Sequence, residues 1–535
     1  MRVFVGALDF FWQIVGNQRL QPILAAILNR LLVVPAFELQ HVQRAVHLRD
    51  LRLHVGPPFL EHSLALGISG RALGAPFHEQ PDVLDLHPRL LQAFDDPKRL
   101  EFRIAESANA GRPLQAREQS LLVVIPQRGN GQTEHLRHLS DCVHGVLRIN
   151  LKFKALPDRR LCSADRYLAH VMMDTMLSPL KKPDQAVAIS VFVPCELLQE
   201  VKLNPYNVES FSCYLSASSV SRPCIELAEA NGVPETLCSY HKTFIGAAQR
   251  GFMPRPKCIV YTNLTCDANM LTFKTLAELF NVPSFEIDVP DAVSEASVSY
   301  VADQLRNLAR FLENQTGRVI DENALRVRVE RGKRTLETYK KFHQLRRGKD
   351  IPSDLVSPLY AAMTSNILLG SEEEEYYVNQ LVEDAKKAAS KQGVHIYWMH
   401  TIPYWSEATA RDFAFSDRAQ IVGCDIGQLC EPEFDTEDPY RAMAWRMVHN
   451  NLNGGALRRI EAGITHAREV GADGVVWFNH WGCKHTIGAS QLAKRKFEEA
   501  GLPFLVLDGD GLDSAHGGEG QTATRLDAFL EMLEA

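Results

Sequence analysis

The sequence predicts an α/β protein: two parallel-sheet domains around a helical insert, preceded by an atypical N-terminal extension. Three observations carry this. Short apolar runs closed by Pro, Gly or Asn recur from about residue 186 and again after Gly393, as strands buried on both faces do. CIVYTNL (258–264), the helix-like ANMLTFKTLAELFN and VPSFEIDVP form a strand–loop–helix–strand unit, which calls for a parallel sheet. Between the two blocks, residues 295–391 hold helical periodicity and almost no strand signal.

The elements follow in order. Residues 1–165 are set apart by composition: the first 150 hold fifteen Arg but one Lys (Lys98), nine His, no Tyr, and no Met after Met1. Stretches such as LQHVQRAVHLRDLRLHV sustain neither a helical nor a strand period. The favoured reading is an over-extended start, with the true beginning at Met172, Met173 or Met176; a disordered segment or a basic accessory domain is the other. Residues 166–294 form the first α/β domain, opened by the strand AVAISVFVP (186–194). Residues 295–392 form the helical region. Its acidic run Glu372–Glu375 is read as the first turn of a helix, where negative charge suits the dipole. Residues 393–535 form the second α/β domain, with strands in VHIYWMH, AQIVGCD, DGVVWFNHW and PFLVLDGD. RMVHNNLNGGALRRIEAGITHAREVGA and GASQLAKRKFEEAGL are read as the helices between them.

Composition narrows the function. A net charge of -7 and a pI near 6.3 over 535 residues give no pull toward nucleic acid or anionic membrane. No run of about eighteen uncharged apolar residues suggests a membrane span. The N-terminus carries Asp9, Gln13 and Arg19 within its apolar stretch and is read as non-secretory. Eleven cysteines, without disulfide-scaffold density, fit a reducing cytoplasm.

Cys238 (PETLCSYHKTFIG), Cys266 (TNLTCDANM) and Cys483 (FNHWGCKHTIG) each sit in a loop, beyond strand ends, where open α/β sheets place ligands. No CxxC is present, so neither a zinc ribbon nor a ferredoxin-type binding run is supported. On spacing alone all three stand close to plain buried cysteine. Cys258, Cys424, Cys213 and Cys224 are read as core residues, and Cys195 as core or an additional ligand. His480, His485 and His241 are candidates to donate to sulfur or move protons, Lys242 and Lys484 to offset negative charge, and Glu196 to face the site. Asp267 is expected to cap the helix beginning near Asn269. HGGEGQTATR (516–525) is expected to cap a helix rather than bind an anion, and no GxxxxGK[ST] phosphate loop is present. Tyr404 and Trp405 are candidates to shape a pocket.

VPCELLQEV, LCSYHKTFIG, TNLTCDAN, FNHWGCKHTIG, GLPFLVLDGDGLD and GQTATRLDAFLEML resemble the family of 2-hydroxyacyl-CoA dehydratase and benzoyl-CoA reductase subunits, over about residues 186–535. The resemblance implies two flavodoxin-like domains plus a helical one. It also implies a [4Fe-4S] cluster on Cys238, Cys266 and Cys483, whose open iron passes one low-potential electron to an acyl-CoA thioester. In the dehydratases the resulting ketyl radical anion expels the 2-hydroxyl; in the reductases the electron enters an aromatic ring. Catalytic roles are then expected for His480, His485 and Glu196. The implied partners are a homologous subunit, an ATP-dependent iron–sulfur activator protein and the acyl-CoA substrate. Two alternatives stand beside this: a homodimeric reductase of small molecules with a double-cubane cluster, and a non-catalytic electron-relay or accessory subunit.

Overall fold

The computed structural model describes residues 103–106, 121–124, 162–355, 366–403, 405–427, 430–516 and 518–535. The chain divides into two units, Met1–Ser140 and Asp141–Ala535. In the first, the described residues are an antiparallel pair, Arg103–Glu106 with Leu121–Val124. The readings of residues 1–165 otherwise fall outside the described residues, apart from 162–165.

The larger unit is built on two four-stranded parallel sheets. The first joins β1 (Ala186–Ile189), β2 (Asn204–Asn207), β3 (Cys258–Thr262) and β4 (Ser284–Ile287) in the order β2-β1-β3-β4. The second joins β5 (Val394–Met399), β6 (Ala419–Cys424), β7 (Gly474–His480) and β8 (Phe504–Gly509) in the order β6-β5-β7-β8. Both are the 2-1-3-4 arrangement of flavodoxin-like folds, with the direction of winding reversing between the first and third strands.

The apolar runs are explained by helices on both faces. In the first sheet, Val187, Ile189, Cys258 and Val260 pack into one core, and Ala186, Ala188, Ile259 and Tyr261 into another. In the second, Ile396, Trp398, Val476 and Phe478 face one side and Tyr397, Met399, Val475 and Trp477 the other. Alternation puts successive side chains on opposite faces, and since both faces are covered the strands are mostly apolar, with buried polar residues such as His395 held by a partner, here Asp350. The expected core cysteines Cys213, Cys224, Cys258 and Cys424 are all buried.

Helix α1 (Ser163–Lys181) precedes β1; α2 (Glu196–Glu200) links β1 to β2. Helices α3 (Val208–Ala217), α4 (Ser221–Ala230) and α5 (Ser239–Gln249) link β2 to β3, and α6 (Asn269–Phe280) links β3 to β4. The helical region comprises α7 (Glu295–Thr316), α8 (Glu322–Arg346) and α9 (Glu372–Lys387). Val298, Val301, Ala302, Leu305, Leu308 and Leu312 of α7 recur at helical spacing and are buried. As expected, Glu372–Glu375 are the first turn of α9, with Ser371 capping it through an Oγ that accepts from Glu374 N–H. The second domain continues with α10 (Glu407–Phe413), α11 (Pro439–Val448), α12 (Ala456–Val470), α13 (Lys484–Ile487), α14 (Ser490–Glu499) and α15 (Glu519–Glu534).

Two features differ from the sequence reading. The single helix expected over RMVHNNLNGGALRRIEAGITHAREVGA is broken into α11 and α12. Asn450 accepts from Leu452 N–H, Asn453 donates to the carbonyls of Val448 and Pro290, and Gly454 takes φ +81°. Asn side chains that bond the local backbone compete with helix, and Gly completes the break. Strand β2, sequence NPYN, was not anticipated because it contains Pro205; it lies at a sheet edge, where a missing N–H is tolerated. Among the described residues no helix is long and apolar enough to cross a membrane.

Candidate metal centre at the carboxyl ends of two sheets

Cys266 follows β3 and Cys483 follows β7, the third strand in the winding of each sheet. Cys238 is the residue before α5, whose N-terminus lies at the same end of the first sheet because it runs into β3. All three sulfurs are close enough to act on one another electrostatically. Burial first, and then the Cys483 and Cys266 sulfurs, hold the Cys238 thiol well above its usual range. Cys266 is pushed up to about 11, chiefly by burial, with Cys483 adding to it. Backbone N–H groups at the following helix starts oppose these shifts: that of Tyr240 at Cys238, and those of Ala268 and Asn269 at Cys266.

The loops are locked together by close backbone approach. Gly482 takes φ +81°, and a Cβ there would lie 2.6 Å from Cys238 N and 2.7 Å from its Cα. Only glycine lets the Cys483 loop lie against Cys238. The turn 508–513, DGDGLD, completes the clamp. Asp510 Oδ1 accepts from Ser239 Oγ at 2.6 Å and from the N–H groups of Leu512 and Asp513. The Leu512 carbonyl accepts from Ser216 and Ser221, and Asp513 pairs with Arg222. The turn after β8 thus holds the helices of the first domain.

The other candidates fall in distinct places. His480, the last residue of β7, puts Nε2 3.1 Å from Cys238 Sγ, while its Nδ1 accepts from Gly511 N–H at 2.9 Å. His241 lies 3.6 Å from Cys266 Sγ through Nε2. Burial lowers both imidazoles, His241 to about 4. His485 turns toward Arg459, whose Nη1 lies 2.7 Å from its Nδ1; burial and that guanidinium bring it to about 4. Lys242 is tied to Glu229 at 2.7 Å and to the Glu235 carbonyl, whereas Lys484 is exposed.

Glu196 is fully buried and pairs with Arg446 at 2.5 Å. The two line a narrow cleft with Phe192, Leu264, Met447 and Asn450, between the loops after β1 and β3. Glu196 is thus beside Leu264 of the Cys266 loop. Cys195 Sγ donates to the Val193 carbonyl inside the core. Asp267 does not cap α6: the helix has no side-chain cap, because its N-cap position falls to Ala268. The Gly-rich stretch does supply the N-cap of α15, Gly518, without a side-chain bond, while Glu519 accepts from Ala408 N–H at the start of α10. Trp405 Nε1 donates to the Asp510 carbonyl, bracing the clamp, and Tyr404 lies outside the described residues.

Three participants escaped the sequence reading. Arg459 and Asp425 form a buried pair, with Asp425 also accepting from His400 N–H. Glu209, buried between the Val191 N–H and the neighbourhood of Cys266, is raised to about 8 by burial. The third is the Gly482 contact. The DGDG turn was the visible signal for the clamp; nothing in the local sequence marks Glu209, Asp425 or Arg459.

Three cysteine sulfurs are a donor set of the kind that iron–sulfur clusters take. Burial keeps the Cys238 and Cys266 thiols protonated in the absence of a cation, and a soft multivalent cation would favour their thiolate form. Among the described residues no group of three or more His, Cys, Asp or Glu side chains is placed to hold a metal ion.

Residues 190–533 match the family described as 2-hydroxyglutaryl-CoA dehydratase, D-component. The chain belongs to this family of dehydratase components. It is 22% identical over 374 residues to the (R)-2-hydroxyisocaproyl-CoA dehydratase alpha subunit of Clostridioides difficile, covering 64% of this chain and 89% of that one. It is 23% identical over 361 residues to the lactoyl-CoA dehydratase subunit alpha of Anaerotignum propionicum, covering 64% and 82%. With the (R)-2-hydroxyglutaryl-CoA dehydratase subunit alpha of Acidaminococcus fermentans it shares 24% over 308 residues, covering 53% and 61%.

Proposed function

We propose that this chain is the alpha-type subunit of an ATP-activated 2-hydroxyacyl-CoA dehydratase, with Cys238, Cys266 and Cys483 holding a [4Fe-4S] cluster. The observation that carries the reading is the convergence of three cysteines from both α/β domains at the carboxyl ends of their sheets. When bound, such a cluster supplies a single electron to an acyl-CoA thioester and leaves one iron open. The chain's own residues do the rest. Gly482 and Asp510 fix the loops, and the backbone N–H groups ahead of α5 and α6 favour the anionic sulfurs. Proton transfer is assigned to Glu196, since it lines the cleft that Leu264 of the Cys266 loop also lines.

The alpha-subunit names of the relatives support a homologous partner subunit, and an iron–sulfur activator that couples ATP hydrolysis to electron delivery completes the proposal. The test is anaerobic reconstitution of the chain with ferrous iron and sulfide, followed by iron analysis and visible spectroscopy. The expected result is about four irons per chain with cluster absorbance that changes on adding a 2-hydroxyacyl-CoA. A chain that takes up no iron under these conditions contradicts the proposal.

A further inference from the structure

The two histidines that touch the cysteines present opposite faces to sulfur. Gly511 N–H can only donate, so His480 Nδ1 accepts it at 2.9 Å and carries no proton. The carboxylate nearest to Nδ1, Asp510, is 4.0 Å away, and its Oδ1 already accepts from Ser239, Leu512 and Asp513. In the neutral imidazole the proton therefore sits on Nε2, 3.1 Å from Cys238 Sγ. At His241 the chain of bonds runs the other way. Thr272 Oγ1 gives its proton to the Ala268 carbonyl at 2.8 Å, so it accepts from His241 Nδ1–H at 2.9 Å. The His241 nitrogen that faces Cys266 Sγ at 3.6 Å is a lone pair.

We infer that His480 is a positioning residue that gives Cys238 a fixed N–H···S hydrogen bond, and that it raises the reduction potential of a cluster held there, while His241 gives Cys266 no such bond. The inference rests on the reading that the three cysteines hold a cluster. A hydrogen bond to a ligand sulfur spreads its negative charge and favours the more negative, reduced state. Its geometry is locked because β7 ends at His480, Tyr240 packs edge-on against the ring at 5.3 Å, and the turn that supplies Gly511 is itself fixed by Asp510.

Two substitutions separate hydrogen bonding from packing. His480→Asn keeps a polar atom near Nδ1 for Gly511 but cannot reach the sulfur. His480→Gln places an amide N–H near the Nε2 position. The expected result, from anaerobic redox titration of the reconstituted proteins, is iron content unchanged, a midpoint shifted to lower potential in His480→Asn, and recovery toward the starting value in His480→Gln. A wild-type midpoint in His480→Asn, or an equal shift in both variants, overturns the inference. Nitrogen-15 NMR of the metal-free protein reads the tautomer without any cluster: a protonated Nε2 and a bare Nδ1 are expected, and a protonated Nδ1 overturns the inference. Absence of iron uptake by the unsubstituted chain would instead count against the cluster itself, so the two failures are distinguishable.

Discussion

The two α/β domains share a strand order but divide the labour unequally. Each is wound 2-1-3-4, each has a positive-φ residue soon after its first strand (Phe192 and His400), and each puts a cysteine just after its third. Beyond that they part. The first domain contributes the second of its sulfurs, Cys238, from a helix start, and faces Cys266 with a lone pair. The second contributes one sulfur and most of the scaffolding: the glycine that admits close approach, the imidazole N–H and the Asp510 turn. The same topology thus yields a half with two of the three cysteines and a half with the third and most of the clamp. What the fold supplies to both is a position; the loop residues decide the chemistry.

Two buried carboxylate–guanidinium pairs flank the sheets: Glu196–Arg446 joins the loop after β1 to α11 of the second domain, and Asp425–Arg459 lies within the second domain beyond β6. Breaking them offers the largest effect. Arg459→Ala leaves Asp425 buried without its partner and is expected to cost about 3–5 kcal/mol in urea unfolding. Arg446→Ala should cost a comparable amount by exposing Glu196 to the same fate. Loss in one variant only would show that the pair joining the halves and the pair within the second half do not contribute alike.

A smaller effect is expected at the junction. Gly482→Ala forces a Cβ against the Cys238 backbone at a positive φ, which should lower stability by about 1–3 kcal/mol and reduce iron uptake on reconstitution. Wild-type iron uptake in this variant would mean that the two loops do not need their close approach.

The third prediction lies outside both clamps, in α1. Burial, with repulsion from Asp354 behind it, raises the Asp165 carboxyl to about 7. A carboxyl with a raised folded-state pKa binds its proton more tightly when folded. It therefore costs nothing at low pH and destabilises progressively as pH rises from its unfolded value near 4 to about 7. Asp165→Asn should leave stability little changed at pH 4 and gain on the wild type by pH 8, by a few kcal/mol at most. Parallel denaturation curves at the two pH values check this, and an unchanged difference would remove Asp165 from the titrating groups.

The sheets were legible because burial on both faces leaves a nearly continuous apolar run, as in CIVYT and VHIYWM, where His395 is the one charged-type residue. β2 was not legible, since NPYN at an edge carries no such run. The helix broken at NNLNGG was over-read because its flanks have strong helical periodicity, while the Asn bonds that end it reach across to Pro290. At the site, Cys266 and Cys483 were visible by their place after strands and by the motifs around them, whereas Cys238, expected after a strand, follows α4 and was visible by its motif alone. Their supporting groups were less so. Lys242 was expected beside the cluster but is committed to Glu229, and Arg459 stabilises Asp425 from a helix 34 residues away. Side chains whose partners lie in another element leave no local trace.

The central claim is that one metal centre is built jointly by both domains. It is tested most directly by iron analysis after anaerobic reconstitution of Cys266→Ser and Cys483→Ser, with Cys258→Ser in the β3 core as control. The account predicts that the first two variants, one from each domain, each lose most of the iron and cluster absorbance, while Cys258→Ser retains them. Full iron content in Cys483→Ser, with loss confined to Cys266→Ser, would contradict a centre shared between the two halves.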